Sequence, residues 1–401
     1  MNNQNHRNTI ENLQYFIACL YFASLNFEVF SPIVPNFSVA KMAALLYIFT
    51  SLLTPTKLFS TSNIRLPLLS VFAMFFLMVL SSIIHMQSNS SIFSTTLFLN
   101  IIMFWLLLNH QRRDERVFHQ GLIWFSVSSF VVGLCFYFGI GVSVDDELQM
   151  AVFGENTNGL GVKMGVGALF LLNYCLNHTR KKLLYRPWLL VMAIPMLSLL
   201  FATASRVALL VFAVGAVLFV MLRQTKRKYT KFLWLIAGLI ALYYGYQVVL
   251  QQEVLMSRME KTIDEGNLSG RDYIWSKYMD LIEKHPVIGV GFHGADSYAL
   301  EVFGKAKSPH NVFIEVTLYS GVLGLACFLL FLFCIYHDAW LYHKRLHNLG
   351  PLITSLAAIG MVLSGQALGD KLFWSLAAYA ISYSVVKTTY VEVSSDQTKT
   401  I

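Results

Sequence analysis

Charge is scarce in this chain. Only 13% of its 401 residues are Asp, Glu, Lys or Arg, about half the share usual in globular domains. So few charges cannot cover a water-facing surface. Cysteine is sparse as well. Cys19, Cys135, Cys175, Cys327 and Cys334 all lie inside apolar runs, and no two form a CxxC pair. That placement argues against a disulfide framework or a zinc site and for buried thiols. There is no P-loop, no Ser-His-Asp pattern, no low-complexity tract and no repeat with a period of roughly 20–50 residues. The acidic loop 142–155, with Asp145, Asp146, Glu147 and Glu155, has no second acidic cluster to complete a metal site. No metal or other cofactor is therefore expected. No cleavable leader is visible either: the polar start MNNQNHRNTIEN enters an apolar run with no small-residue cleavage pattern after it.

What fills the sequence is apolar, at 56%, arranged in long runs rather than short alternations. Such runs imply an all-α polytopic membrane protein. Twelve spans are predicted, near 13–30, 38–54, 67–85, 93–109, 121–141, 156–176, 187–203, 205–222, 231–250, 309–336, 351–368 and 371–388. The seventh and eighth are separated by Ala204 alone. The whole chain, 1–401, reads as a single integral membrane domain. One large loop, 251–308, is inserted between spans nine and ten.

The net charge of +8 could suggest a nucleic-acid partner, but the position of the basic residues excludes that reading. They fall in alternate loops: Lys57 and Arg65; Arg112, Arg113 and Arg116; Arg180, Lys181, Lys182 and Arg186; Arg223, Lys226, Arg227, Lys228 and Lys231; Lys344 and Arg345. The intervening short loops 31–37 and 86–92 carry none, and 142–155 is acidic. The positive-inside rule then puts both termini in the cytoplasm and the large loop outside. The tail VEVSSDQTKTI is expected to be disordered.

The stretch SPHNVFIEVTLYSGVLG, residues 308–324, organises the rest. Ser308 and Pro309 are turn residues that can open a helix. His310 and Asn311 stand at its first turn, where a membrane span meets water. Gly321 and Gly324 allow close backbone approach. A histidine there can titrate near neutral pH and move protons, or can simply mark the interface. Within the large loop, 272–285 has the spacing of an amphipathic helix, with Ile274, Trp275, Tyr278, Leu281 and Ile282 on one face and Pro286 as its stop.

Several polar groups sit where an apolar chain would not place them. Arg206 lies at the outer end of two apolar runs. It reads either as an arginine snorkelling at the interface or as an anion clamp, since a guanidinium grips phosphate oxygens as a fork. Arg271 opens the amphipathic helix and reads as an exposed loop charge or a second phosphate ligand; Arg258, in the same loop, is a weaker candidate. Glu155, Asn156 and Asn158 precede Gly161 and Gly165 at helix-packing spacing. They read as a helix cap or as amides for sugar hydroxyls. Glu28, Lys163 and Glu315 are further charges within spans, and Asp370 and Lys371 mark the last outer turn. GVGFHG at 289–294 matches GxGxxG formally. It follows a proline in an extracytoplasmic loop instead of a strand, so it reads as a tight turn and not a dinucleotide site.

Taken in order, these residues resemble the O-antigen ligase and polymerase superfamily of bacterial envelopes. That family's pattern of His, then Asn, Ser or Gln, nine residues, Gly, two residues and Gly is met by His310, Asn311, Gly321 and Gly324. Its arginine with Leu four positions on is met by Arg206 and Leu210. Its loop arginine before an aromatic-rich helix and Pro-x-x-Gly-x-Gly is met by Arg271, Trp275, Pro286, Gly289 and Gly291. The resemblance implies a metal-independent glycosyltransferase of the GT-C-like type. It would use glycans carried on undecaprenyl diphosphate, at the periplasmic face of the bacterial inner membrane. His310 would be the catalytic base, and Arg206 and Arg271 would hold the diphosphate. Asn311, Asn158, Glu315 and Arg258 would be further substrate-binding candidates. The wording around Arg271 is closer to polymerases, which join lipid-linked repeats. Ligases, which use lipid A–core as acceptor, are the alternative, and a lipid-linked sugar transporter is a third reading. Flippase and chain-length-regulator proteins are the protein partners implied.

Overall fold

The computed structural model describes residues 2–32, 37–61, 64–85, 92–144, 149–177, 186–222, 271–305, 307–346, 348–364 and 367–382. Apart from one hairpin it is helical. The described helices are α1 (Asn2–Ser24), α2 (Val39–Ser51), α3 (Pro55–Leu58), α4 (Arg65–Ile84), α5 (Ile92–Arg113), α6 (Arg116–Tyr137), α7 (Thr157–Asn177), α8 (Arg186–Ala202), α9 (Arg206–Leu222), α10 (Arg271–Lys284), α11 (Gly291–Phe303), α12 (Val312–Leu346) and α13 (Gly350–Ser364). A last helix, α14, covers 371–382. Every predicted span except the ninth overlaps one of these helices. The ninth lies outside the described residues, as do Arg258, the tail and most of the basic residues of the loops near 180 and 227.

Among the described residues, three helices are long and apolar enough to cross a bilayer by themselves: Arg65–Ile84, Arg116–Tyr137 and Val312–Arg345. The helices of α2, α8, α9 and α13 are apolar but shorter. With large exposed apolar side chains such as Phe49, Leu69, Phe76, Leu210 and Phe333 on the outside, the architecture is that of an α-helical membrane protein. The acidic loop departs from the all-α expectation. Val142–Val144 and Met150–Val152 pair antiparallel, Ser143 opposite Ala151.

Small residues set the closest packing. α7 lies against α8 and α9. A Cβ at Gly161 would stand 2.8 Å from Thr203 Oγ1 and 2.9 Å from the Ala208 methyl, and one at Gly165 would stand 3.4 Å from Phe212 Cβ. The expected packing role of these two glycines is thus met. The narrow α8–α9 junction is a sharp turn in which Ala204 takes φ 49°. Ser205 then caps α9, its Oγ accepting from Ala208 N at 3.3 Å. α13 packs on α9 and α7 on one side and α12 on the other, so it bridges the two parts of the molecule that carry the candidate residues.

α12 is broken at Gly321, whose φ of 63° and ψ of −165° are non-helical. The loop after α10 docks into the break. In an unbroken helix Val322 N would donate to Leu318 O. Here Leu318 O accepts from Val290 N at 2.7 Å, and Val322 N donates to Pro286 O at 2.9 Å. Non-helical backbone at membrane depth is tolerable only when its polar groups are satisfied in this way. Gly289 and Gly291 both have positive φ. A Cβ at Gly289 would overlap the Leu318 carbonyl, and one at Gly291 would stand 2.6 Å from Ser82 Cα in α4. Ser82 Oγ accepts from Phe292 N at 3.1 Å. The GVGFHG segment is accordingly a backbone wedge between α4 and α12, as the tight-turn reading expected.

Candidate functional site

His310 stands in the turn that leads from α11 into α12. Gly304 ends α11 in the left-handed conformation. The chain then runs through Lys307, Ser308 and Pro309 to His310, which takes φ 51°. A non-glycine residue in that region needs outside support. Part of it is local: His310 N donates to Ser308 Oγ at 3.1 Å. Asn311 then caps α12, its Oδ1 accepting from Phe313 N at 3.0 Å and Ile314 N at 3.4 Å. The side-chain carbonyl of Asn311, a substrate-binding candidate, is therefore committed to the backbone.

The remaining support comes from α10. Its buried face is Ile274, Tyr278 and Leu281, three of the five residues expected on that face. Trp275 Nε1 donates to Pro309 O at 2.8 Å, and the Tyr278 hydroxyl donates to Lys307 O. Burial, reinforced by the charge of Asp296, pushes the Tyr278 phenol up to about 12, so it stays protonated as a donor. Arg271 is the first residue of the same helix. It acts electrostatically on His310, whose imidazole is half-buried. Burial first, then the charges of Arg271 and Lys307, hold the His310 pKa below its ordinary value of 6.5. The structure thus brings together His310 and Arg271, the predicted base and one predicted phosphate ligand. An imidazole in that setting is neutral at physiological pH and can accept a proton.

Glu315, one turn into α12, is buried, with the Tyr319 hydroxyl donating to its Oε1 at 3.3 Å. Asp296 of α11 is close enough to act on both groups.

A second group forms at the start of α9. Arg206 is its first residue. The preceding Ser205 donates from Oγ to Asn158 Oδ1 at 2.8 Å, so Asn158 is brought beside the arginine's helix terminus. Asn156 supplies the helix cap, accepting from Asn158 N at 2.9 Å. Leu210 faces outward and is exposed.

Behind Asn158 lies a buried ion network that the sequence only hinted at. Lys163 Nζ is fully buried between Glu28 (3.2 Å) and Glu155 (3.1 Å). Lys371 Nζ reaches the other oxygen of Glu28 at 2.8 Å, and Lys371 N donates to that same oxygen at 2.9 Å. Asp370 caps α14 by accepting from Leu372 N at 2.7 Å. Lone charges at Glu28 and Lys163 signalled that partners must exist. Their separations, 135 and 343 residues, hid which ones. Also unforeseen were α11, the hydrogen bonds of Trp275 and Tyr278, and a polar cavity of about 640 Å³ lined by Glu11, His110, Arg113 and Arg116. That cavity contains none of the predicted site residues.

Comparison with known proteins bears on these groups. The O-antigen ligase family model matches residues 190–329, the segment that holds Arg206, Arg271, Gly289, His310, Gly321 and Gly324. A protein of Rickettsia prowazekii (strain Madrid E) named "Putative polysaccharide ligase" is 26% identical over 171 residues, which cover 40% of this chain and 40% of that relative. The chain thus matches about two-fifths of the length of the curated relative. No solved structure matches it. Over the matched segment the superfamily resemblance drawn from the motifs is borne out.

Proposed function

We propose, for a membrane protein whose residues 190–329 match the O-antigen ligase family, that it polymerises lipid-linked glycan repeats at the periplasmic face of the inner membrane. The donor would be a glycan on undecaprenyl diphosphate. One observation carries the reading: the neutral imidazole of His310 is held in a fixed turn within the field of Arg271. His310 takes the proton of an acceptor hydroxyl as that oxygen attacks the anomeric carbon. The bond from that carbon to the phosphate oxygen breaks, and undecaprenyl diphosphate leaves with the electron pair. Arg271 and Arg206 hold the growing charge on the diphosphate. Each arginine–phosphate contact near 4 Å is worth about 4 kcal/mol at an effective dielectric of ~20.

In this reading twelve spans place both termini in the cytoplasm and the 251–308 loop outside, as the charge alternation requires. Asn158 and Glu315 border the glycan. The family description and the relative's printed name favour a second reading, transfer of the finished glycan to lipid A–core. Purified protein in vesicles separates the two. With lipid-linked repeat as the sole substrate, a polymerase makes longer lipid-linked chains. A ligase makes no product until lipid A–core is added. Passage of substrate across the vesicle wall with no new glycosidic bond contradicts both.

A further inference from the structure

Arg271, Trp275 and Tyr278 are spaced four and three residues apart, so they share one face of α10. Each acts on the same short turn. Arg271 acts on the His310 imidazole, Trp275 holds the Pro309 carbonyl at 2.8 Å, and Tyr278 holds the Lys307 carbonyl. α10 is held at two further points. Tyr298 of α11 donates to Lys277 O, at the middle of the helix, at 2.9 Å, and beyond its C-terminal end the chain enters the break in α12 through Pro286. The helix is therefore a rigid bar anchored in span α12 at one end and clamping the turn before that same span at the other.

His310 alone does not account for its own geometry. Its φ of 51° is unfavourable for a residue with a Cβ. Asn311 and Ser308 satisfy backbone N–H groups but leave the carbonyls of Lys307 and Pro309 to the two aromatic donors. Releasing either carbonyl frees the turn to rotate His310 away from Arg271 and toward water.

We infer that Trp275 and Tyr278 are positioning residues for His310, which set its place beside Arg271 through hydrogen bonds to Pro309 and Lys307. This inference rests on the proposal that His310 is the base. Among the described residues, the charged groups that act on His310 are Arg271 from α10 and Lys307 from its own loop; Glu315 is engaged by Tyr319. Loosening the turn reduces both burial and the influence of Arg271, so the imidazole should titrate at higher pH.

The test uses Tyr278→Phe, which keeps the ring, and Trp275→Phe, which keeps an aromatic ring smaller than the indole; each removes one donor. Tyr273→Phe, on the exposed side of α10, is the comparator. Each variant is purified, and kcat, KM for the lipid-linked donor and the pH–rate profile are measured. The pH dependence of His310 reaction with diethyl pyrocarbonate is followed in the resting protein, with His310→Gln as the blank. Each donor variant should lose about 10–10²-fold in kcat, the scale of a small misplacement of a reacting group, with KM unchanged. In each, both the acid limb and the His310 modification curve should move up toward 6.5. Less folded protein with kcat and the modification curve unchanged per folded molecule would overturn the inference. The modification curve separates this failure from failure of the base assignment. If His310→Gln keeps full turnover, the base assignment falls, while a shifted curve in Trp275→Phe still supports the clamp.

Discussion

Replacing Gly321 by alanine strikes the joint on which the candidate site is mounted. At φ 63° and ψ −165° the residue occupies a region open almost only to glycine, where a side chain costs of order 1–3 kcal/mol. Its Cβ would overlap the Val287 carbonyl. Forcing extra volume into a packed contact costs roughly 1–3 kcal/mol more. The shift needed to relieve it strains two hydrogen bonds, Val290 N to Leu318 O and Val322 N to Pro286 O, each worth about 1 kcal/mol. Some relaxation is certain, so the net loss should be near 4 kcal/mol, or about 5 °C in apparent Tm for a chain of this length. Gly165→Ala is the matched control, because its Cβ would stand 3.4 Å from its nearest neighbour, Phe212 Cβ, an ordinary contact. Thermal unfolding of both variants in detergent, followed by tryptophan fluorescence, measures the difference. A Gly321→Ala protein within about 2 °C of wild type would show that the loop does not depend on this close approach.

Further outcomes follow from the same geometry. Arg206→Ala and Arg271→Ala should each remove most turnover and the lysine versions restore only part, because lysine keeps the charge but loses the fork; full activity of Arg206→Ala in a vesicle assay would end the clamp reading. Lys307→Ala removes one of the two positive charges that depress the His310 pKa, so the acid limb of kcat should move to higher pH, and a limb that stays or falls would reverse the sign argued here. Lys163→Met leaves Glu155 buried opposite no ammonium and Glu28 with Lys371 alone and should cost about 3–5 kcal/mol, part of it recovered in Lys163→Met with Glu155→Gln; a single variant as stable as wild type in a denaturation series would argue against the network. Single cysteines at 227 and 280, in a chain with its native cysteines replaced by serine, should label from the cytoplasm and the periplasm respectively, and the opposite pattern would overturn the topology.

Much of the fold was readable because bilayer spans announce themselves in one dimension. The α8–α9 junction was placed at Ala204, and 272–285 was recognised as an amphipathic helix from Ile274, Tyr278 and Leu281. Gly161 and Gly289 were assigned close-packing or turn roles that the structure gives them. α11 was not foreseen, since GFHGADSYALEVF opens with glycines that read as a turn. The ion network was half visible. Glu28 and Lys163 had to find partners, yet nothing local says that Lys371, at the far end of the chain, supplies one. The site itself was legible as residue types. The clamp that holds it was not, because hydrogen bonds from Trp275 and Tyr278 to backbone carbonyls leave no mark on the acceptor residues. Asn311 shows the converse: it matches a family motif, and its side-chain oxygen caps a helix.

The claim at the centre is that His310 removes the acceptor proton, and His310→Gln tests it most directly. Glutamine keeps hydrogen bonding but does not titrate. Initial rates are measured on purified protein with undecaprenyl-diphosphate-linked glycan across pH, alongside donor binding. The variant should fold and bind donor, since the arginines remain. Its turnover should fall by about 10²–10⁴, the usual contribution of a general base. The acid limb, which in wild type should lie below 6.5, should vanish from the residual rate. Normal turnover of His310→Gln with the wild-type pH profile would contradict the account.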